Sequence, residues 1–84
     1  MYVVLLEPAA QRDMRRLTKP VHVRVLASLD KLEADPRHLG TKKLAGFEHQ
    51  WRARVGEYRI LYEIDDRGRT VHVYRVAHRS QSYR

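Results

Sequence analysis

The second half of the chain carries Arg52, Arg54, Arg59, Arg75 and Arg79, with Tyr83 four residues beyond the last of them. A guanidinium is a planar fork of donors that matches phosphate bidentately and keeps its charge when partly desolvated, whereas a lysine ammonium is a hydrated point charge. Gathered guanidinium groups suit the transition state of phosphodiester cleavage, where preorganised electrostatics is usually the largest catalytic term. Cutting RNA without a metal needs two further groups, one to take the 2′-OH proton and one to protonate the departing 5′-oxygen. Arginine serves the first badly, because a pKa above about 12 leaves no site for a proton at neutral pH. Tyr83, His78, His49 and Glu63 are the candidate acceptors, and a phenol among arginines has its pKa lowered by their charge.

Each of these residues also has an ordinary reading. Arg52, Arg54 and Arg75 can be solvated strand residues that discourage edge pairing. Arg59 can face a salt bridge to Glu57 or Glu63, His78 can be a surface histidine, and Tyr83 can pack at a chain end. Trp51 and Tyr62 read as core ahead of base-stacking platforms. Lys42 and Lys43 are either a wet loop or phosphate contacts. After Lys43 every cation is arginine, a switch explained equally by codon usage in a GC-rich genome or by selection for phosphate contact. His72 and His78 stand six apart with no cysteine nearby, and no glycine-rich phosphate cradle, nucleophile elbow or HExxH occurs. No metal and no cofactor are expected.

What must position the arginines is legible from periodicity. Tyr2 to Leu6 reads as a buried strand bounded by Glu7-Pro8. From Pro8 to Leu17 the pattern is helical, with proline at the start and Ala10, Met14 and Leu17 spaced by four and three. Thr18-Lys19-Pro20 ends that helix and opens another, striped by Val21, Val25, Leu29 and Leu32, which Asp35-Pro36 stops. Residues 36 to 48 read as a loop. Trp51, Ala53 and Val55 then alternate with Arg52 and Arg54, Gly56-Glu57 makes a hairpin turn, and Tyr58, Ile60, Tyr62 and Ile64 alternate with Arg59, Leu61 and Glu63. A turn over Asp65 to Arg69 leads to a last strand, Thr70 to Ala77, with His72, Tyr74 and Val76 on one face and Val71, Val73, Arg75 and Ala77 on the other.

The expected fold is α+β, ordered β-α-α-β-β-β, a small antiparallel-rich sheet with a two-helix hairpin on one face. If Trp51, Val55, Ile60, Tyr62, Ile64, Tyr74 and Val76 pack under the helices, strand geometry sends Arg52, Arg54, Arg59, Arg75 and Arg79 to the opposite face. Like charges on adjacent strands repel by roughly 0.2 to 1 kcal/mol per opposed pair, a cost that a bound anion relieves.

Composition bounds the rest. Eighty-four residues with no cysteine and 17 Lys and Arg against 10 Asp and Glu describe one basic domain over residues 1–84, with a polyanion or an acidic protein as partner. The charge is spread along the chain, 8 cations to 5 acids in residues 1–42 and 9 to 5 in residues 43–84. The early apolar run is too short for a signal sequence or for the roughly 20 residues a membrane span needs, so a cytoplasmic location and no membrane partner are expected.

These residues resemble a known family. Leu44-Ala45-Gly46, then Trp51-Arg52-Ala53-Arg54-Val55-Gly56-Glu57-Tyr58-Arg59-Ile60-Leu61-Tyr62-Glu63-Ile64-Asp65, then Val76-Ala77-His78-Arg79 with Tyr83, are similar to the RelE branch of the RelE/ParE toxins of bacterial type II toxin-antitoxin pairs. The resemblance implies an mRNA endonuclease that inhibits translation by cutting messages in the A site of the 30S ribosomal subunit. It also implies a cognate antitoxin that wraps and silences the toxin. It implies catalytic roles for Arg54, Arg59, Arg79 and Tyr83 and phosphate contact by Arg52, while Arg75, Lys42, Lys43 and His78 are expected RNA or phosphate contacts apart from the resemblance. Positions 52 and 54 are arginine where the best-known members have lysine, and the gap from Arg79 to Tyr83 is shorter. The alternative that the resemblance carries is a ParE-like inhibitor of DNA gyrase without nuclease activity.

Overall fold

The computed structural model describes residues 1–44 and 49–81. Its elements run β1 (Val3–Leu6), α1 (Pro8–Arg15), α2 (Lys19–Ala34), β2 (Thr41–Lys43), β3 (Gln50–Val55), β4 (Tyr58–Asp65) and β5 (Thr70–His78). Pro8 and Pro20 fall in the first turns of α1 and α2, where a missing N–H leaves no hydrogen bond unmade. Ala10 and Met14 on α1, and Val25, Leu29 and Leu32 on α2, are the buried helical positions. The three- and four-residue spacing of these positions puts them on one face of each helix. No helix among the described residues is long and apolar enough to cross a membrane.

The strands form one sheet in the order β1-β5-β4-β3-β2. β1 lies parallel to β5, and the other neighbours are antiparallel. The helices cover one face of it, where Ala53, Ile60, Tyr62, Ile64, Val71, Val73 and Val76 join the helical residues in the core, with Trp51, Val55 and Tyr58 packed at its margin. Tyr62 lies at 0% exposure and donates its phenol O–H to the Pro36 carbonyl at 2.7 Å, satisfying the one polar atom that the ring brings inside. The α+β class is as expected from the periodicity.

Two readings of the second half need correction. Residues 41–43, within the span whose composition reads as a loop, form the edge strand β2, with Lys42 opposite Arg52 and Lys43 opposite Trp51. Three residues are too few to show an alternation, and pairing with β3 supplies what propensity lacks. In β5 the register shifts beside Leu61 and Tyr62: Tyr62 pairs with Val73 and Leu61 with Arg75, so Tyr74 is an extra residue in a bulge. A bulge reverses the phase of alternation along the strand. The core therefore takes Val71 and Val73 before it and Val76 after it, while Tyr74 hydrogen-bonds Gln50 at 3.1 Å on the uncovered side.

The uncovered face is consequently ordered in rows across the sheet. Arg54, Arg59 and Ala77 form one row; Lys42, Arg52 and Leu61 the next, with Arg75 in register beside Leu61 but its side chain turned to Asp13 of α1; Gln50, Glu63 and His72 the one after. Cations gather at the β3–β4 hairpin end and carboxylates at the opposite end.

Candidate active site

The β3–β4 hairpin closes in two residues, with Val55 opposite Tyr58. Gly56 takes φ 57°, a left-handed position that an L side chain resists. Directly behind this turn Arg54 and Arg59 stand opposite one another in register. The ladder continues past β5, because the Arg79 amide donates to the Glu57 carbonyl at 2.7 Å, and this bond holds the third cation beside the turn. Arg54, Gly56, Glu57, Tyr58, Arg59 and Arg79 line a hollow of about 230 Å³.

Within the hollow Arg79 Nη1 lies 3.3 Å from Glu57 Oε2. Both side chains are more than 60% exposed (64% and 62%), so water screens the pair and its contribution is small. Arg59 is half-buried and Arg54 exposed. Across β5 the neighbour of Arg59 is Ala77, itself buried. Among the described lining residues three cations stand against one carboxylate, and the donors are forks matched to a phosphate.

The remaining candidates are distributed elsewhere. Arg52 lies on the same face, one row back and about 7 Å along the strand. Lys42 stands opposite Arg52, while Lys43 is on the helix side with Trp51. Arg75, placed by the sequence with the other arginines, is instead drawn to α1: its Nε lies 2.7 Å from Asp13 Oδ2, which also accepts the Val76 amide at 2.8 Å. The bulge turns Arg75 toward the sheet edge beyond the end of β1, where that carboxylate waits. His78 pairs in register with Tyr58 and meets its ring edge-on at 5.2 Å. Its Nδ1 accepts the Ser80 amide at 3.1 Å, so a local turn holds it on the helix side. His49 and Glu63 sit together in a different hollow, with Asp65, Asp66 and His72. Glu63 stands four positions along β4 from Arg59, about 13 Å, well away from the hollow of Arg54, Arg59 and Arg79. Tyr83 lies outside the described residues.

Glu57 and Tyr58 were not among the residues singled out for chemistry from sequence. The signal was their position at a hairpin tip between two arginine-bearing strands. Among the described residues no three or more His, Cys, Asp or Glu side chains are arranged so that they could hold a metal ion.

Comparison with known proteins bears on what such a hollow serves. Residues 4–83 match the family described as the ParE toxin of the type II toxin-antitoxin system parDE. The chain is 36% identical over 87 residues to Toxin RelG of Mycobacterium tuberculosis, covering 99% of this chain and 97% of that protein. It is 33% identical over 84 residues to Toxin RelE of the same organism, covering 99% and 87%. The toxin-antitoxin complex RelBE2 of Mycobacterium tuberculosis contains a chain that superposes with a TM-score of 0.82 at 33% identity, over 92% of this chain and 96% of that one.

Proposed function

This chain belongs to the RelE/ParE toxins of type II toxin-antitoxin systems, and on that premise we propose that it is a metal-independent endoribonuclease that cuts mRNA in the A site of the 30S ribosomal subunit. Its inhibitor in this reading is a cognate antitoxin. The observation that carries the reading is the hollow where Arg54, Arg59 and Arg79 meet. In the reaction the 2′-oxygen attacks the adjacent phosphorus, its proton passes to a base, and the bond to the 5′-oxygen breaks as that oxygen takes a proton. Negative charge accumulates on the non-bridging oxygens, where Arg59 and Arg79 stabilise it. Arg54 and, one row back, Arg52 hold flanking phosphates, with Lys42 beyond them. In this reading Tyr83 orients or deprotonates the 2′-OH.

Primer extension on messages from cells expressing the toxin is expected to show new 5′ ends that vanish with Arg79→Ala. Growth arrest with intact messages would overturn the nuclease. A second reading, inhibition of DNA gyrase without nuclease activity, draws on the family description, which names ParE. Purified protein that blocks gyrase supercoiling and leaves RNA whole would establish it.

A further inference from the structure

The cationic surface does not stop at the arginine hollow. On the α2 side of the same hairpin a second hollow, of about 370 Å³, is lined by Arg24, Lys31, His38, Arg54 and Gly56 together with small and apolar residues. No carboxylate is among its described lining residues. Arg54 and Gly56 line both hollows, so the two meet at the hairpin tip. The contact there is close: a Cβ on Gly56 would stand 2.8 Å from Arg24 Nη2, so the turn sits directly against the Arg24 guanidinium. Arg24 and Lys31 are seven residues apart on α2, which puts them on one side of the helix and about 10 Å apart along its axis. Both are exposed.

Building on the nuclease reading, we propose that this groove is a second phosphate subsite, which holds the RNA strand where it leaves the arginine hollow. Arg54 is the shared contact, and Arg24 and Lys31 bind successive phosphates further on. A single strand follows an uninterrupted positive groove, and its phosphates displace counterions there. Among its described lining residues the groove has no tyrosine, phenylalanine or tryptophan, and His38 is its one ring. Its cations grip backbone phosphates, which carry no sequence information. It lengthens the footprint of the toxin on its message and leaves the reacting atoms to the first hollow.

The test is fluorescence anisotropy of the full chain with 2′-O-methyl RNA, which lacks the attacking hydroxyl, in lengths of about 4 and about 12 nucleotides. Arg24→Ala/Lys31→Ala is expected to weaken the longer probe about tenfold and to flatten its salt dependence by about 1.4 log units per log unit of salt, leaving the shorter probe unaffected. Lys31→Arg should bind like the parent. Lys31→Glu, at an exposed helical position, carries the same test if the double variant unfolds. Equal binding of the longer probe by parent and double variant, with Arg59→Ala losing both probes, would overturn the subsite and spare the nuclease. If the parent binds neither probe and instead blocks gyrase, the nuclease reading falls and the subsite with it. Unchanged RNA affinity with lost neutralisation by the antitoxin would give the groove to the protein partner and overturn the proposal.

Discussion

Two arginines of similar appearance in the sequence are expected to behave in opposite ways. Arg59→Ala or Arg79→Ala should lower the rate of RNA cleavage by about 10²-fold or more, as loss of one transition-state donor does elsewhere, with little change in melting temperature. Arg75→Ala should leave cleavage intact and destabilise the fold by about 1 to 3 kcal/mol, because it strands Asp13, only 11% exposed, without its charged partner. Paired assays of melting and cleavage separate the classes. Glu57 is distinguished differently. As a counter-ion it competes with phosphate for Arg79, so Glu57→Gln should tighten RNA binding with cleavage retained. If Glu57 were instead the proton acceptor, binding would hold and kcat would collapse. That Arg54 and Arg59 share a face was legible from alternation around a recognisable turn. That Arg75 leaves this face was not, because its partner Asp13 is 62 residues away and no local pattern announces it.

Among elements, the β3–β4 hairpin was readable because Gly56 punctuates two clean alternations, and it organises both hollows. Gly56→Ala should cost about 1 to 2 kcal/mol from the left-handed backbone alone, since φ is 57°. The added methyl also meets the Arg24 guanidinium, so a drop in melting temperature should come with a change in RNA affinity. β5 was legible as a strand but not in its phase. Its bulge interrupts a run of β-branched and aromatic residues in which both alternations look apolar, so neither face declares itself. The Val76 amide is satisfied by Asp13, so α1 holds the bulge in place through a contact that only the folded chain makes.

For the whole molecule, pH acts at both extremes through groups distant from the hollow. Burial pushes the Tyr62 phenol from 10.0 up to about 12. A raised phenol favours the neutral folded form, so its contribution, about 3 kcal/mol, is complete below pH 10 and is lost as pH climbs from about 10 to about 12. Denaturant titrations across that range should show the loss, and Tyr62→Phe should remove this dependence on pH. Asp66, in the β4–β5 turn, accepts a bidentate bond from Arg37 and the Tyr2 hydroxyl, and these donors hold its carboxyl below the usual range. Its support is present above the ordinary carboxylate pKa and fades on acidification, so Arg37→Ala should melt with a weaker dependence on acid pH.

The uncovered sheet face also has a polarity of its own, with Arg54 and Arg59 at one end and Glu63 and Asp65 at the other. Such a surface exerts a torque on an approaching polyanion, which is swung into alignment before it touches. Glu63→Gln/Asp65→Asn would then speed encounter with RNA in dilute buffer, because two repelling charges are gone, while lowering the fraction of encounters that arrive aligned, and both differences vanish once added salt blinds the two molecules to each other.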